Sequence, residues 1–238
     1  MFDSRKTSFT RNTDLTRKTS SDMAVLVTGS NKGIGFQILR TLARQKYRDF
    51  QGKVKFLQNL SFFSIFSRNF YSGDLILCSR STENGEAAMK TILKEWPEAK
   101  IHVCQLDLLD KTSRENARNF IEDKFGKISV LINNAGFAYK KDSNASDLAQ
   151  AEDTLAVNYF GTVEFTKLML PMVSNRVIFI SSLCSDTSFG ACSDGIRSKI
   201  KSGSLNCDEV DLMAKDFLGK VKTGGYLDFY RVVLQNNY

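Results

Sequence analysis

The stretch Ala24-Val25-Leu26-Val27-Thr28-Gly29-Ser30-Asn31-Lys32-Gly33-Ile34-Gly35 decides how this chain of 238 residues folds. Four apolar residues followed by turn formers suit a strand buried on both faces, as in a parallel sheet. The three glycines let the chain turn tightly. They also bring backbone amides to the positive end of the next helix, where a diphosphate is favoured. Ile38, Leu39, Leu42 and Ala43 then recur at helical spacing. The loop residues Gly29, Asn31, Lys32, Gly33, Ile34 and Gly35 are therefore candidates for holding a phosphate-bearing cofactor.

Outward from this unit the alternation repeats. Short apolar runs predict strands at 75–78, 101–104, 130–132 and 177–180. Helices are expected at 86–96, from a capping-box spacing at Thr112 to about 125, and over roughly 151–172. Such a pattern specifies an α/β fold, a Rossmann-like doubly wound parallel sheet with right-handed crossovers and strand order 3-2-1-4-5. Two stretches break the rhythm. Residues 46–71, with Phe56, Phe62, Phe63, Phe66 and Phe70, far exceed the usual connection of about two to six residues. After the fifth strand, 185–203 reads as loop and 208–222 as helix. The organisation expected is a disordered tail over 1–22 and a single domain over 23–238, with an insertion at 46–71 and an atypical end at 223–238.

Composition narrows the function. The chain is 42% hydrophobic, enough for one core. Of its +7 net charge, residues 1–22 supply +2 and 46–71 supply +4, so no folded basic face is expected and nucleic acid is excluded as a partner. No run approaches the roughly 18 apolar residues that cross a bilayer, and no secretory signal block is present. The five cysteines are odd in number and lack CxxC spacing, which points to a reducing cytoplasmic setting without disulfides or zinc. His102, the single histidine, sits in an apolar run and reads as a strand residue.

Three further signals follow predicted strands or lie in the long helix. Asn133-Asn134-Ala135-Gly136 closes the fourth strand, where small residues leave room for a flat ligand and amides can tie strands together. Asn158 interrupts the helix and implies a kink or a bound water. Ser181-Ser182 ends the fifth strand, the side on which open α/β sheets place their ligands.

In order, TGSNKGIG, LDLLD, LINNAG, VNYFGT and VIFISS resemble the short-chain dehydrogenase/reductase superfamily. The first of these, and the stretch after Ser182, are most similar to its monomeric NADPH-dependent carbonyl reductase branch. The resemblance covers about 24–45 and 72–222. It implies that Gly29, Gly33 and Gly35 cradle NADP(H), that Asp107 and Leu108 lie where the adenine is held, and that Asn134 lines the cofactor. It also implies that Asn158 supports a proton relay and Ser182 hydrogen-bonds the substrate carbonyl. The expected activity is NADPH-dependent reduction of small ketones, aldehydes or quinones by hydride transfer, in a monomer. Charge supports the choice of cofactor. The second strand ends Cys78-Ser79-Arg80 rather than in an acid, and Arg80 with Lys32 suits a 2′-phosphate.

One departure is sharp. The family's proton donor is a tyrosine followed four residues later by a lysine, whose charge lowers the tyrosine's pKa. The residues four beyond Tyr47, Tyr71, Tyr139, Tyr159, Tyr226 and Tyr230 are Gln51, Leu75, Ser143, Val163, Tyr230 and Leu234, and Tyr238 ends the chain. Residues 185–222 resemble the branch's insertion between its serine and that tyrosine, whereas 223–238 match nothing in the pattern. The reading is a truncated or mis-spliced member lacking the later strands, with a catalytically impaired NADP(H)-binding module as the alternative.

Overall fold

The computed structural model describes residues 24–49, 73–140, 142–182 and 184–224. The tail expected over 1–22, most of the 46–71 insertion and nearly all of 223–238 lie outside these residues. The strands are β1 (Ala24–Val27), β2 (Leu75–Ser79), β3 (Ile101–Gln105), β4 (Ile128–Asn133) and β5 (Val173–Phe179). They pair in parallel throughout, in the order β3-β2-β1-β4-β5. The expected sheet is thus observed among the described residues. β1, β2 and β4 are buried at every position, because helices cover both faces and leave no polar side to alternate.

The helices are α1 (Gly33–Asp49), α2 (Thr82–Glu95), α3 (Lys111–Phe125), α4 (Asp147–Leu155), α5 (Thr162–Met169), α6 (Cys184–Ala191), α7 (Asp194–Ser202) and α8 (Cys207–Lys222). On one face Leu39, Leu42 and Ala43 of α1 and Ala88 and Ile92 of α2 pack on Val25, Val27, Leu75, Leu77, Val130 and Ile132. On the other, Ala117 and Ile121 of α3 and Phe165 and Met169 of α5 pack on Leu26, Ile76, Cys78 and Leu131. The alternation of neighbouring strand residues between these two clusters is the period-2 pleat seen from inside.

Several boundaries and one segment differ from expectation. α2 begins at Thr82 rather than 86, because the Ser81 hydroxyl accepts the Asn84 amide and caps it. α3 is capped by Asp110, which accepts the Thr112 amide at 2.9 Å, and not by Thr112. α4 likewise starts early, on a Ser146 cap. Residues 185–203, read as loop, hold α6 and α7. Arg197 donates to the carbonyls of Gly190 and Cys192 and pairs with Asp194, and Gly203 ends α7 in the left-handed conformation. Gly190 in α6 and Gly195 in α7 hid these helices in the sequence. α8 opens on a reciprocal Asn206–Glu209 capping box and docks on α4 through Phe217, Val221 and Ala151.

His102 lies in β3 as expected, 2.9 Å from Asp74 and edge-on to Phe125. Cys78, Cys104, Cys192 and Cys207 are free thiols. Burial pushes the Cys78 thiol pKa well up, reinforced by Cys104 beside it on β3. No helix among the described residues is long and apolar enough to cross a membrane.

Candidate functional site

Because the sheet is parallel, the residues following β1, β2, β4 and β5 all emerge at one edge. The chain leaves β1 toward β2 on one side and β4 toward β5 on the other, so a crevice opens between β1 and β4. The glycine loop lies in that crevice. Gly29 and Gly33 hold φ of 60° and 59°, a region that a side chain disfavours.

Packing fixes the loop further. A Cβ on Gly29 would stand 2.8 Å from the Ala135 Cα, and one on Gly35 would stand 2.4 Å from the Asn134 Nδ2. A Cβ on Gly33, by contrast, would meet none of the described residues within 4 Å, so that side of the loop is open among them.

Thr28 and Asn134 lock this arrangement. The Thr28 hydroxyl accepts the amides of Asn134 and Ala135 at 3.0 and 2.9 Å. The Asn134 side-chain NH2 donates to the carbonyls of Thr28 and Gly29 at 2.9 and 3.2 Å. Ser30, fully buried, donates its hydroxyl to Val27 and its amide to the Cys78 carbonyl, which ties the loop to β2. Asn134 therefore stands against the loop and holds its shape. Thr28 shares that work, although only its place in the motif marked it in the sequence.

Around the loop, groups suited to a phosphate-bearing ligand stay uncommitted. Lys32 and Arg80 are exposed, and neither side chain bonds another described residue. Ile34 is 65% exposed, an unusual position for an isoleucine beside a helix start. The Arg80 main chain is held by Gln105, whose NH2 donates to the Arg80 carbonyl at 3.1 Å. The Gln105 amide oxygen accepts the Ser113 hydroxyl at 2.9 Å, and Ser113 in turn accepts the Asp107 amide at 2.8 Å. Arg80 and Asp107 are thus joined by a short hydrogen-bonded chain across the β2 and β3 ends. Asp107 is half-buried, and its carboxylate accepts the Leu109 amide. The Leu108 side chain is buried in the core, so it offers the crevice main chain only. These residues fit an NADP(H) group: amides at a helix start, an open glycine, the cations Lys32 and Arg80 without a partner among the described residues, and an exposed apolar side chain.

The other half of the site is less complete. Asn158 lies in a π-helical turn, Ala156–Gly161, between α4 and α5, so the predicted interruption of the helix is present. Its side-chain oxygen accepts the Phe137 amide at 2.6 Å and its NH2 donates to the Phe137 carbonyl at 2.8 Å. The side chain thereby pins the loop after β4 to the turn, leaving one N–H and one lone pair free for further use. Ser182 is exposed beyond β5, and its carbonyl accepts the Ser185 amide and hydroxyl at the start of α6.

The two described tyrosines beside this turn are both engaged. Tyr139 donates to Asp153, and that hydrogen bond holds its pKa above the usual phenol value. Tyr159 donates to Asp211 of α8 at 2.7 Å, and partial burial, then Asp211, push its pKa up. Neither environment makes a ready acid of the phenol, since no cation lowers its pKa. Tyr226 lies outside the described residues.

Sequence reasoning gave no role to two residues packed behind the site on the Leu108 carbonyl, Gly161 and Arg114. A Cβ on Gly161 would stand 2.7 Å from the Leu108 carbonyl oxygen. Arg114 is buried and reaches the same carbonyl. The signal for it was legible: Arg114, Ala117 and Ile121 share the inward stripe of α3, where an arginine is out of place.

The chain matches the model of the short chain dehydrogenase family over residues 71–193. Curated relatives include carbonyl reductase (NADPH) 1 of Bos taurus, 32% identical over 207 residues. That match covers 86% of this chain and 65% of the relative. Carbonyl reductase (NADPH) 3 of Mus musculus is 33% identical over 199 residues, 82% of this chain and 62% of its own length. The chain thus spans about two thirds or slightly less of these relatives. Among solved structures, menthone neomenthol reductase from Mentha piperita superposes with a TM-score of 0.65. It is 20% identical, with 91% of this chain and 82% of that chain covered. Salutaridine reductase from Papaver somniferum gives 0.64 at 22% identity, covering 87% and 73%. At such identities the structures speak for the fold alone.

Proposed function

The chain belongs to the short-chain dehydrogenase family, and on that premise we propose that it binds NADP(H) in the crevice between β1 and β4 as a reductase of the carbonyl reductase type. The observation behind this is the left-handed glycine loop, closed by Ala135 and Asn134 at Gly29 and Gly35 yet open at Gly33. Gly29, Asn31, Lys32, Gly33, Ile34 and Gly35 would receive the diphosphate at the α1 N-terminus. Arg80, helped by Lys32, would grip the 2′-phosphate. Asp107 and the Leu108 main chain would border the adenine, and Asn134 would keep the loop in shape beside the cofactor.

When bound, the reduced nicotinamide supplies a hydride. In the same reading, the Ser182 hydroxyl would hydrogen-bond a small ketone, aldehyde or quinone at its carbonyl oxygen, and the Asn158 turn would hold the β4 loop in place. We assign the protein to the cytoplasm as a monomer, with residues 23–238 forming one NADP(H)-binding domain.

A second reading, an NADP(H)-binding module with impaired chemistry, is favoured by one specific observation. No tyrosine has a lysine four residues on, and Tyr139 and Tyr159 are bound to carboxylates. Loss of a general acid costs about 10²–10⁴ in rate. Fluorescence titration with NADPH and with NADH, alongside NADPH consumption with a small quinone or α-diketone, separates the readings. NADPH binding with turnover supports the reductase, and binding without turnover supports the module. Absence of binding removes both. In Arg80→Ala the preference for NADPH over NADH should fall about tenfold, equivalent to ~1.4 kcal/mol.

A further inference from the structure

α3 spends an inward position on a charge. Its buried stripe is Arg114, Ala117 and Ile121, and Arg114 is only 8% exposed. A guanidinium withdrawn from water needs partners for its fixed fork of donors. Arg114 has two, from different parts of the molecule. One N–H donates to the Leu108 carbonyl, in the loop between β3 and α3. Another pairs with the Glu164 carboxylate on α5, just past the π turn.

The last residue of the π turn also packs tightly on the Leu108 carbonyl, since a Cβ on Gly161 would stand 2.7 Å from its oxygen and 3.1 Å from the Leu108 Cβ. The turn that presents Asn158 therefore rests on the segment 107–109, and Arg114 clips the two together from behind. The Thr162 hydroxyl, at the start of α5, donates to the Val157 carbonyl and ties the turn to that helix.

We propose that Arg114 is a positioning residue that holds the adenine-side wall (Asp107–Leu108) and the Asn158 turn as one unit, so that the two ends of the cofactor crevice are mechanically coupled. The inference rests on the NADP(H) reading for its ligand, but the coupling itself is a property of the free protein. A residue needed only for stability would change the melting point and leave binding by the folded molecules intact. A positioning residue changes both the affinity for the adenine half and the mobility of the distant turn.

The test uses the full-length chain and three variants: Arg114→Met, Arg114→Lys and Glu164→Gln. NADPH and 2′,5′-ADP are titrated well below each variant's melting temperature. Hydrogen exchange of the cofactor-free proteins is followed at 107–110 and 157–161. Arg114→Met should weaken both ligands about tenfold, ~1.4 kcal/mol, and speed exchange in both segments together. Arg114→Lys should restore part of each effect, because a point charge reaches one partner but not both in the arginine's geometry. Glu164→Gln should loosen both segments by less.

If the native chain binds NADPH and Arg114→Met binds it equally well, the positioning role is wrong while the cofactor reading stands. If the native chain binds no NADPH, the cofactor reading falls. Unchanged exchange at 157–161 in Arg114→Met then overturns the coupling as well. Should Arg114→Met fail to fold, the same two measurements on Arg114→Lys and Glu164→Gln decide: unaltered affinity and exchange in both variants refute the proposal.

Discussion

The sheet's centre and the segment beyond β5 are held by different physics. In the first, β1, β2 and β4 are buried throughout, and the glycine loop is fixed by left-handed backbone, by the Thr28 and Asn134 hydrogen bonds and by contacts that exclude even a methyl group. In the second, β5 is only partly buried, with Phe179 57% exposed, and α7 buries no residue at all. Local devices organise much of this part, the Arg197 staple and the Asn206–Glu209 box, while the small cluster of Phe217, Val221 and Ala151 docks α8 on α4. The half that would hold a cofactor is over-determined by tertiary packing. The half that would face a carbonyl substrate depends on short-range bonds, and rigidity follows the number of independent constraints on each residue.

The largest test of this contrast removes packing at the centre. Leu26→Ala should lower stability by about 2–5 kcal/mol in a denaturant melt, because the side chain is fully buried between helices and cannot be replaced by collapse. A loss under 1 kcal/mol would mean the sheet is looser than its burial indicates. Gly35→Ala comes next, at about 1–3 kcal/mol from overpacking against Asn134 and the Gly29 carbonyl, with NADPH binding lost in the same fluorescence titration.

Tyr159→Phe probes the bridge between the two regions, since its hydroxyl reaches Asp211 on α8. It should cost about 1 kcal/mol at neutral pH. The Tyr159 pKa is raised by folding, so its contribution is complete below the unfolded value of about 10 and fades as pH rises beyond it. The native chain should therefore lose more stability than Tyr159→Phe between pH 9 and 11 (roughly the span around that value), as read by urea melts. Equal slopes would remove Tyr159 from the account. Smallest of all, Phe179→Ser should shift stability by less than about 0.5 kcal/mol, the range for an exposed position. A loss several times larger would show that this face is covered.

How much was readable in advance varied with the range of the cause. The five strands and the α1 stripe of Leu39, Leu42 and Ala43 follow from hydrophobic period, which is a local property, and the strand order from the rule that alternating strands and helices wind a parallel sheet. Helix starts were misplaced where one hydroxyl or carboxylate settles the matter, as at Ser81, Asp110 and Ser146. α6 and α7 were hidden by their glycines and by an arginine staple that no periodicity records. Within the candidate site, the glycine loop was plain and Asn158 was marked by its place in a helix. The Thr28 lock and the Gln105–Ser113 chain join residues 6 to 107 positions apart, and nothing local announces them; Arg114 stood out on its inward helix stripe, but its partners Leu108 and Glu164 did not.

By itself, the sequence determined an alternating α/β chain, a tight glycine turn at a helix start and the want of a Tyr-x-x-x-Lys pair. Each of these is a matter of residue type at short spacing. Only the tertiary structure decided which wall the glycines touch, that Asn134 holds the loop by its side chain, and that the Leu108 carbonyl lies between Gly161 and Arg114. Those facts depend on which strand ends are brought side by side. Bonds of this kind form only after the chain has closed on itself, so their partners cannot be read from either residue alone.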